Sequence, residues 1–111
     1  MPDLNSNGLN AGLFPIKTYD TASYQINGGT SVGAGATITD SVTATGVVTS
    51  DTKVGICPRD AVVIPFGLVL VSVAISATNT LSLVWRNNNA SAITPPSAGV
   101  WSAAVFGLFV R

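Results

Sequence analysis

The chain has 111 residues, enough for one domain with a modest core, and its composition is apolar and poor in charge. Hydrophobic residues make up 47% of the sequence and charged residues 9%, against about 25% charged in typical soluble domains. The formal net charge is zero, with five acidic and five basic residues. Since no basic cluster is present to neutralise phosphates, we expect no nucleic-acid partner.

The sequence contains no histidine and no glutamate, which leaves five aspartates and one cysteine for acid–base or nucleophilic chemistry. Asp51 and Asp60 flank one predicted strand and could form a carboxylate pair, but we interpret them and Asp40 as turn and edge residues. Cys57 is interpreted as a small buried hydrophobe, because it has no histidine to join it in a metal site. We therefore predict no catalytic residues, no metal, no cofactor, and a protein that is not an enzyme.

Residues 1–14 are rich in Asn and Gly and have no periodic apolar face, which predicts an extended N-terminal arm. A frayed terminus is the alternative. The start lacks the basic and apolar regions of a secretory signal, so we expect folding in the cytoplasm. Four apolar side chains are spaced along the arm as candidate anchors on a partner: Leu4, Leu9, Leu13 and Phe14.

Residues 15–36 predict one short strand, at residues 22–26, followed by a glycine-rich stretch. No Lys-Ser or Lys-Thr follows the glycines, so we interpret residues 27–36 as a mobile hairpin connection and not as a phosphate-binding loop. On this basis residues 1–35 are assigned to the arm and the first short strand, and residues 36–111 to a β-sandwich domain.

The segment 37–49 alternates between apolar and hydroxyl side chains, which predicts a half-buried strand. Ile38, Val42 and Ala44 share one face, and threonine and serine line the other. Asp40 interrupts the apolar face near the start of the strand, so we expect the pairing there to be at an edge or solvated. Residues 53–57 predict another short strand.

Residues 61–85 contain no charge over 25 positions, so a transmembrane helix has to be considered. Pro65, Gly67 and several hydroxyl residues interrupt the run, and its β-branched content favours strands. We therefore predict a hairpin of residues 69–76 and 81–85 with its turn at residues 77–80. A small membrane-associated protein, which would depend on detergent, stays an alternative.

Two predicted strands are apolar on both faces, residues 68–76 and 100–110, which indicates cover from another subunit. In the first strand Leu68 and Leu70 are expected on the face opposite Val73 and Ile75. Helical periodicity is almost absent, so the fold class is all-β, a compact antiparallel β-sandwich or jelly-roll-like barrel with an extended N-terminal arm. The predicted oligomer interface comprises Leu68, Leu70, Val71, Val73, Ile75, Val105, Phe106, Leu108 and Phe109.

The second half of the chain follows a characteristic order of segments: a threonine-rich strand, VVIPFGLVLVSVAIS, the turn ATNT, a strand ending in WRNNNASAI, the connection PPSAGVW and a terminal strand. In this order residues 36–111 resemble a family of small bacteriophage capsid decoration, or cement, proteins. The sequence departs from the family pattern at residues 65–67 and 94–96.

The resemblance implies a homotrimer that stabilises the major capsid protein lattice from the outer surface of the virion, after synthesis in the host cytoplasm. It implies residues 1–14 as a capsid-binding arm. The alternative is a head-fibre or tail-fibre module that binds carbohydrate, with Trp85, Trp101, Tyr19 or Tyr24 as a stacking platform. Because both tryptophans lie in strand patterns, we expect them in a core or interface.

Overall fold

The computed structural model describes residues 16–50, 53–60 and 62–106, which form two antiparallel three-stranded sheets. The described residues contain no α-helix and one short 3-10 turn, at Ile26–Gly29. The all-β prediction is therefore confirmed. The strands are β1 (Ile16–Asp20), β2 (Thr37–Thr43), β3 (Lys53–Pro58), β4 (Leu68–Ala77), β5 (Thr80–Asn87) and β6 (Trp101–Phe106).

The two sheets pack face to face, with the apolar core between them. The first sheet has the order β1-β6-β3 and the second has the order β2-β5-β4. Trp101 of β6 and Trp85 of β5, the two central strands, meet edge to face with ring centroids 5.9 Å apart. The remaining core side chains include Tyr24, Ile26, Val32, Val42, Ala44, Val47, Leu68, Leu81, Leu83, Ile93, Ala103 and Val105.

Strand β2 agrees with the predicted alternation. Val42 is buried, and Ile38 packs against the core from the same face. The residues between them on the other face are exposed hydroxyl side chains. β2 pairs only with β5, so the predicted edge position is confirmed.

One short strand lies within residues 15–26 as predicted, but its placement at residues 22–26 is wrong, because the strand is Ile16–Asp20 and pairs with β6. Tyr24 makes only an isolated bridge to Gly99. Asn27 and the glycine after it adopt left-handed backbone conformations, which end the extended segment.

The glycine-rich connection is also not a hairpin, because β1 and β2 belong to different sheets. Within this connection Val32 is buried and bridges Ile93 through reciprocal main-chain hydrogen bonds of 2.9 Å. Residues 16–35 thus contribute one strand and three core side chains to the two-sheet fold.

The central hairpin is confirmed: β4 and β5 are joined by Thr78 and Asn79. The predicted faces of β4 are wrong in part. A register shift between Leu70 and Ser72 turns the strand by one residue, so that Val73 and Ile75 pack on the core beside Leu70. The prediction assumes that successive side chains of β4 point to opposite faces along the whole strand, and a β-bulge interrupts this alternation.

Candidate protein-contact surface

The aspartates within the described residues have structural roles. Asp60 Oδ2 accepts a hydrogen bond from the Val100 main-chain N–H at 2.9 Å. Arg59 forms an exposed ion pair with Asp20 at 2.7 Å and lies 3.6 Å from Asp60. Within residues 16–50, 53–60 and 62–106, no group of three His, Cys, Asp or Glu residues is placed to hold a metal. Asp51 lies outside the described residues.

Asp40 belongs to a polar network that reaches from β2 into the core. Its Oδ2 accepts hydrogen bonds from the Tyr24 hydroxyl and from the Asn27 main-chain N–H at 2.9 Å. The same Tyr24 oxygen accepts a hydrogen bond from Trp85 Nε1 at 2.9 Å. Burial, and then the hydrogen bond to Asp40, raise the pKa of Tyr24 well above its ordinary value, so the hydroxyl stays protonated as a donor. This network positions β2 and offers no acid–base pair to solvent.

The aromatic side chains of the carbohydrate-binding alternative are mostly inside the fold. Trp85, Trp101 and Tyr24 are buried, and the Tyr24 and Trp101 rings meet edge to face at 5.5 Å. Tyr19 is half-buried. The prediction that both tryptophans are buried is confirmed, and a buried ring cannot stack on a sugar.

Four large apolar side chains are exposed within one nine-residue stretch, residues 63–71, which we call the apolar segment. Phe66 is 92% exposed and Val63 is 79% exposed, both in the connection between β3 and β4. Val69 and Val71 of β4 are 44% and 56% exposed. No charged residue occurs in this stretch. Exposed apolar side chains this close together in the chain make the segment a candidate surface for contact with another molecule.

The four edge strands of the two sheets differ in how they are protected from other chains. β1 carries Lys17 and Asp20, β2 carries the inward-facing Asp40, and β3 carries Pro58, which are typical protecting residues. Among these described strands, β4 has neither charge nor proline. Its two register shifts disfavour addition of a further strand, which leaves its exposed valines to make side-chain contacts.

No protein-family model, curated protein or solved structure matches this chain. No helix within the described residues is long and apolar enough to cross a membrane. Function has to be argued from the surface of the molecule and from the order of its segments.

The residues of the predicted oligomer interface occupy different places. Val71 is exposed on β4. Leu68 and Val105 are buried in the chain's own core, so the interface proposed below does not include them. Leu70, Val73 and Ile75 are partly buried against that core. The Phe106 side chain, Leu108 and Phe109 lie outside the described residues, as do the predicted arm anchors Leu4, Leu9, Leu13 and Phe14.

The exposure of Val63, Phe66 and Val69 is not among the predictions from the sequence. For Phe66 the sequence does contain an indication of exposure, because the Pro-Phe-Gly turn places an aromatic side chain at the tip of a tight connection. The interpretation of Cys57 as buried is wrong, because this cysteine is exposed. On the edge strand β3, Val54 and Ile56 face the core and Cys57 has the opposite orientation.

Proposed function

We propose that this protein is a structural component of a bacteriophage virion, a capsid decoration protein that binds the outer surface of the capsid. In this proposal the chains form a homotrimer that contacts the major capsid protein and stabilises its lattice. The two-sheet fold would be of jelly-roll type, with residues 1–14 as the capsid-binding arm. The family comes from the resemblance of residues 36–111.

The observation that carries the proposal is the apolar segment on a charge-poor surface. Val63, Phe66, Val69 and Val71 expose large apolar areas that the described residues leave open to solvent. Stable assemblies bury such side chains between subunits, and their interfaces are more apolar than those of transient complexes. A protein whose task is to hold subunits together needs a surface of this kind.

The second candidate is a few-copy head-fibre or tail-fibre module that binds carbohydrate. It requires exposed aromatic rings, and of the four rings assigned to it Trp85, Trp101 and Tyr24 are buried and Tyr19 is half-buried; the exposed Phe66 is not among them. The decoration role is therefore favoured over this alternative.

The test is the copy number of this chain in purified virions, measured by quantitative mass spectrometry against the major capsid protein. A ratio near unity supports a decoration protein that covers the whole shell. A few copies per particle would favour the fibre alternative, and no copies would overturn the assignment to the virion.

Removal of residues 1–14 tests the arm separately. We expect the truncated chain to keep its oligomeric mass and to attach more weakly to capsids that lack the protein. Loss of the oligomer with unchanged attachment by the remaining chain would contradict the arm assignment.

A further inference from the structure

We propose that Phe66 is the anchor residue of the contact between copies of this chain, and that a rigid turn holds it ready for that contact. The inference rests on the homo-oligomer of the proposed function. It names the side chain that would make the oligomer, which the order of segments in the sequence does not reveal.

Phe66 lies at the centre of a tight turn formed by residues 65–68. The Leu68 main-chain N–H donates to the Pro65 carbonyl at 3.2 Å, which closes the turn. Gly67, the next residue, has φ of +93°, a left-handed conformation that favours glycine. The turn therefore directs the Phe66 side chain outward, where it is 92% exposed.

The end of β5 and the residues after it clamp this turn from the side. Asn89 Nδ2 donates to the Phe66 carbonyl at 2.9 Å, and the Asn88 main-chain N–H donates to the Gly67 carbonyl at 2.8 Å. Asn87 Oδ1 in turn accepts a hydrogen bond from the Asn89 main-chain N–H at 2.8 Å. A Cβ atom added at Gly67 would lie 2.2 Å from Asn89 Oδ1, so the fit is tight.

Folding of the single chain does not explain why an exposed phenylalanine lies on such a well-ordered turn. Phe66 contributes almost no buried surface to its own chain, yet two hydrogen bonds fix the main-chain carbonyls of Phe66 and its neighbour Gly67. An aromatic side chain on an ordered backbone loses little conformational freedom when it binds, which is how anchor residues gain affinity.

The area of the apolar segment is large enough for the apolar part of an interface with a second copy of the chain. Val69 and Val71 alone would bury about 120 Å², taking roughly 120 Å² for a fully exposed valine. Phe66 and Val63 raise the total to about 400 Å², with roughly 200 Å² for a phenylalanine. That is about half of the roughly 800 Å² that each partner buries in a stable interface, close to the usual apolar share.

One charged side chain lies beside the apolar segment. Residues 61–85 carry no charge, but the exposed Arg86 pairs with Val69 across the β4–β5 ladder, and its Nε donates to Asn88 Oδ1 at 3.0 Å. Two copies can therefore meet on the apolar side chains when their Arg86 groups are not placed opposite each other. The last residues of the apolar segment, Val69 and Val71, belong to β4, so Phe66 and β4 can belong to one interface.

The experiment compares Phe66→Ala with the wild type by light scattering and native mass spectrometry over a series of protein concentrations. We expect the dissociation constant of the oligomer to rise about 100-fold, as for an anchor residue. The matched control is Ile16→Ala, which removes an exposed apolar side chain from β1 in the other sheet. This control should keep the wild-type dissociation constant. Circular dichroism shows that each variant is folded.

A second variant, Asn89→Ala, removes the hydrogen bond to the Phe66 carbonyl and leaves the phenylalanine in place. If the clamp positions the anchor, this variant weakens the oligomer by about 10-fold without unfolding the chain. An unchanged dissociation constant in Asn89→Ala would overturn the positioning role of the clamp.

The copy number in virions separates the inference from the proposed function. The wild type is expected to be oligomeric and present in virions, and the Phe66→Ala variant is expected to dissociate. These results together support the inference about Phe66 and the proposed function. An oligomer that survives Phe66→Ala overturns the inference, and a fall in virion copy number of that variant would then assign Phe66 to the capsid. A monomeric wild type that is present in virions overturns the inference and the homotrimer of the proposed function, and leaves the role in the virion standing.

Discussion

The Tyr24→Phe substitution tests the polar network that joins β2 to the core. The hydroxyl that this change removes donates to Asp40 and accepts a hydrogen bond from Trp85 Nε1. Asp40 keeps the hydrogen bond from the Asn27 main-chain N–H, so its carboxylate is not left without a donor. Trp85 is fully buried, and its indole N–H loses its partner.

The expected cost follows from these two lost hydrogen bonds. A hydrogen bond to a charged group contributes about 1.5–3 kcal/mol, and a buried donor left without a partner costs about 1–3 kcal/mol. These two contributions are not fully additive, because both hydrogen bonds involve the same hydroxyl. We therefore expect the free energy of unfolding to fall by about 3 kcal/mol. That is a large part of the roughly 5–15 kcal/mol that stabilises a typical domain.

The assay is denaturant unfolding at one fixed protein concentration, because oligomerisation makes stability depend on concentration. The matched control is Tyr19→Phe, since the half-buried Tyr19 hydroxyl makes no hydrogen bond to the described residues. We expect this control to change stability by less than about 0.5 kcal/mol. If Tyr24→Phe and Tyr19→Phe lower the free energy of unfolding by the same amount, the stabilising role of the network is refuted.

The difference in stability between the wild type and Tyr24→Phe should also depend on pH. The pKa of Tyr24 is raised in the folded chain above its ordinary value of about 10, first by burial. Above about pH 10 the unfolded chain loses this proton and the folded chain retains it, so the stability contributed by Tyr24 decreases as the pH rises. The difference in stability between wild type and Tyr24→Phe should therefore shrink above about pH 10. A difference that stays constant would contradict this.

Three further predictions follow from other contacts. Asn87→Ala removes a buried amide whose Nδ2 donates to the carbonyls of Val32, Gly33 and Ser91, and should cost about 3 kcal/mol in denaturant unfolding; a loss below about 1 kcal/mol would contradict it. Gly46→Ala introduces a Cβ 2.5 Å from the Tyr19 ring at a φ of +113°, and should lower the melting temperature more than Gly35→Ala, where nothing lies within 4 Å. Cys57 should react with a maleimide in the folded protein as fast as in the unfolded chain, and strong protection would contradict its exposure.

The elements that follow from local pattern could be predicted from the sequence. The β4–β5 hairpin is set by two β-branched runs around a short turn, and β2 by alternation of apolar and hydroxyl side chains. Both signals depend on residues close together in the chain. The edge position of β2 could also be predicted, because Asp40 on its apolar face is a local signal.

The errors arose where a distant residue decides the conformation. The bulge in β4 exists because its partners on β5 require Val73 and Ile75 on the core side, and no local period shows this. The conformation around Tyr24 depends on hydrogen bonds to Asp40 and Trp85, which lie 16 and 61 residues further along the chain. Local sequence carries no sign of these partners, so it predicts a strand there. Phe66 was missed because hydrophobicity alone does not separate an exposed turn residue from a buried one.

The pairing of β1 with β6 has a consequence for how the chain folds. Ile16 faces Phe106 and Asp20 faces Ser102, so every pair in this ladder joins residues at least 82 positions apart. β6 also lies between β1 and β3, and neither has another partner in its sheet. All strands of the second sheet lie within residues 37–87, so this sheet can form first during synthesis. The first sheet can form only after β6 has been synthesised. Such non-local topology folds in milliseconds to seconds, and β1 and β3 stay unpaired until β6 is made.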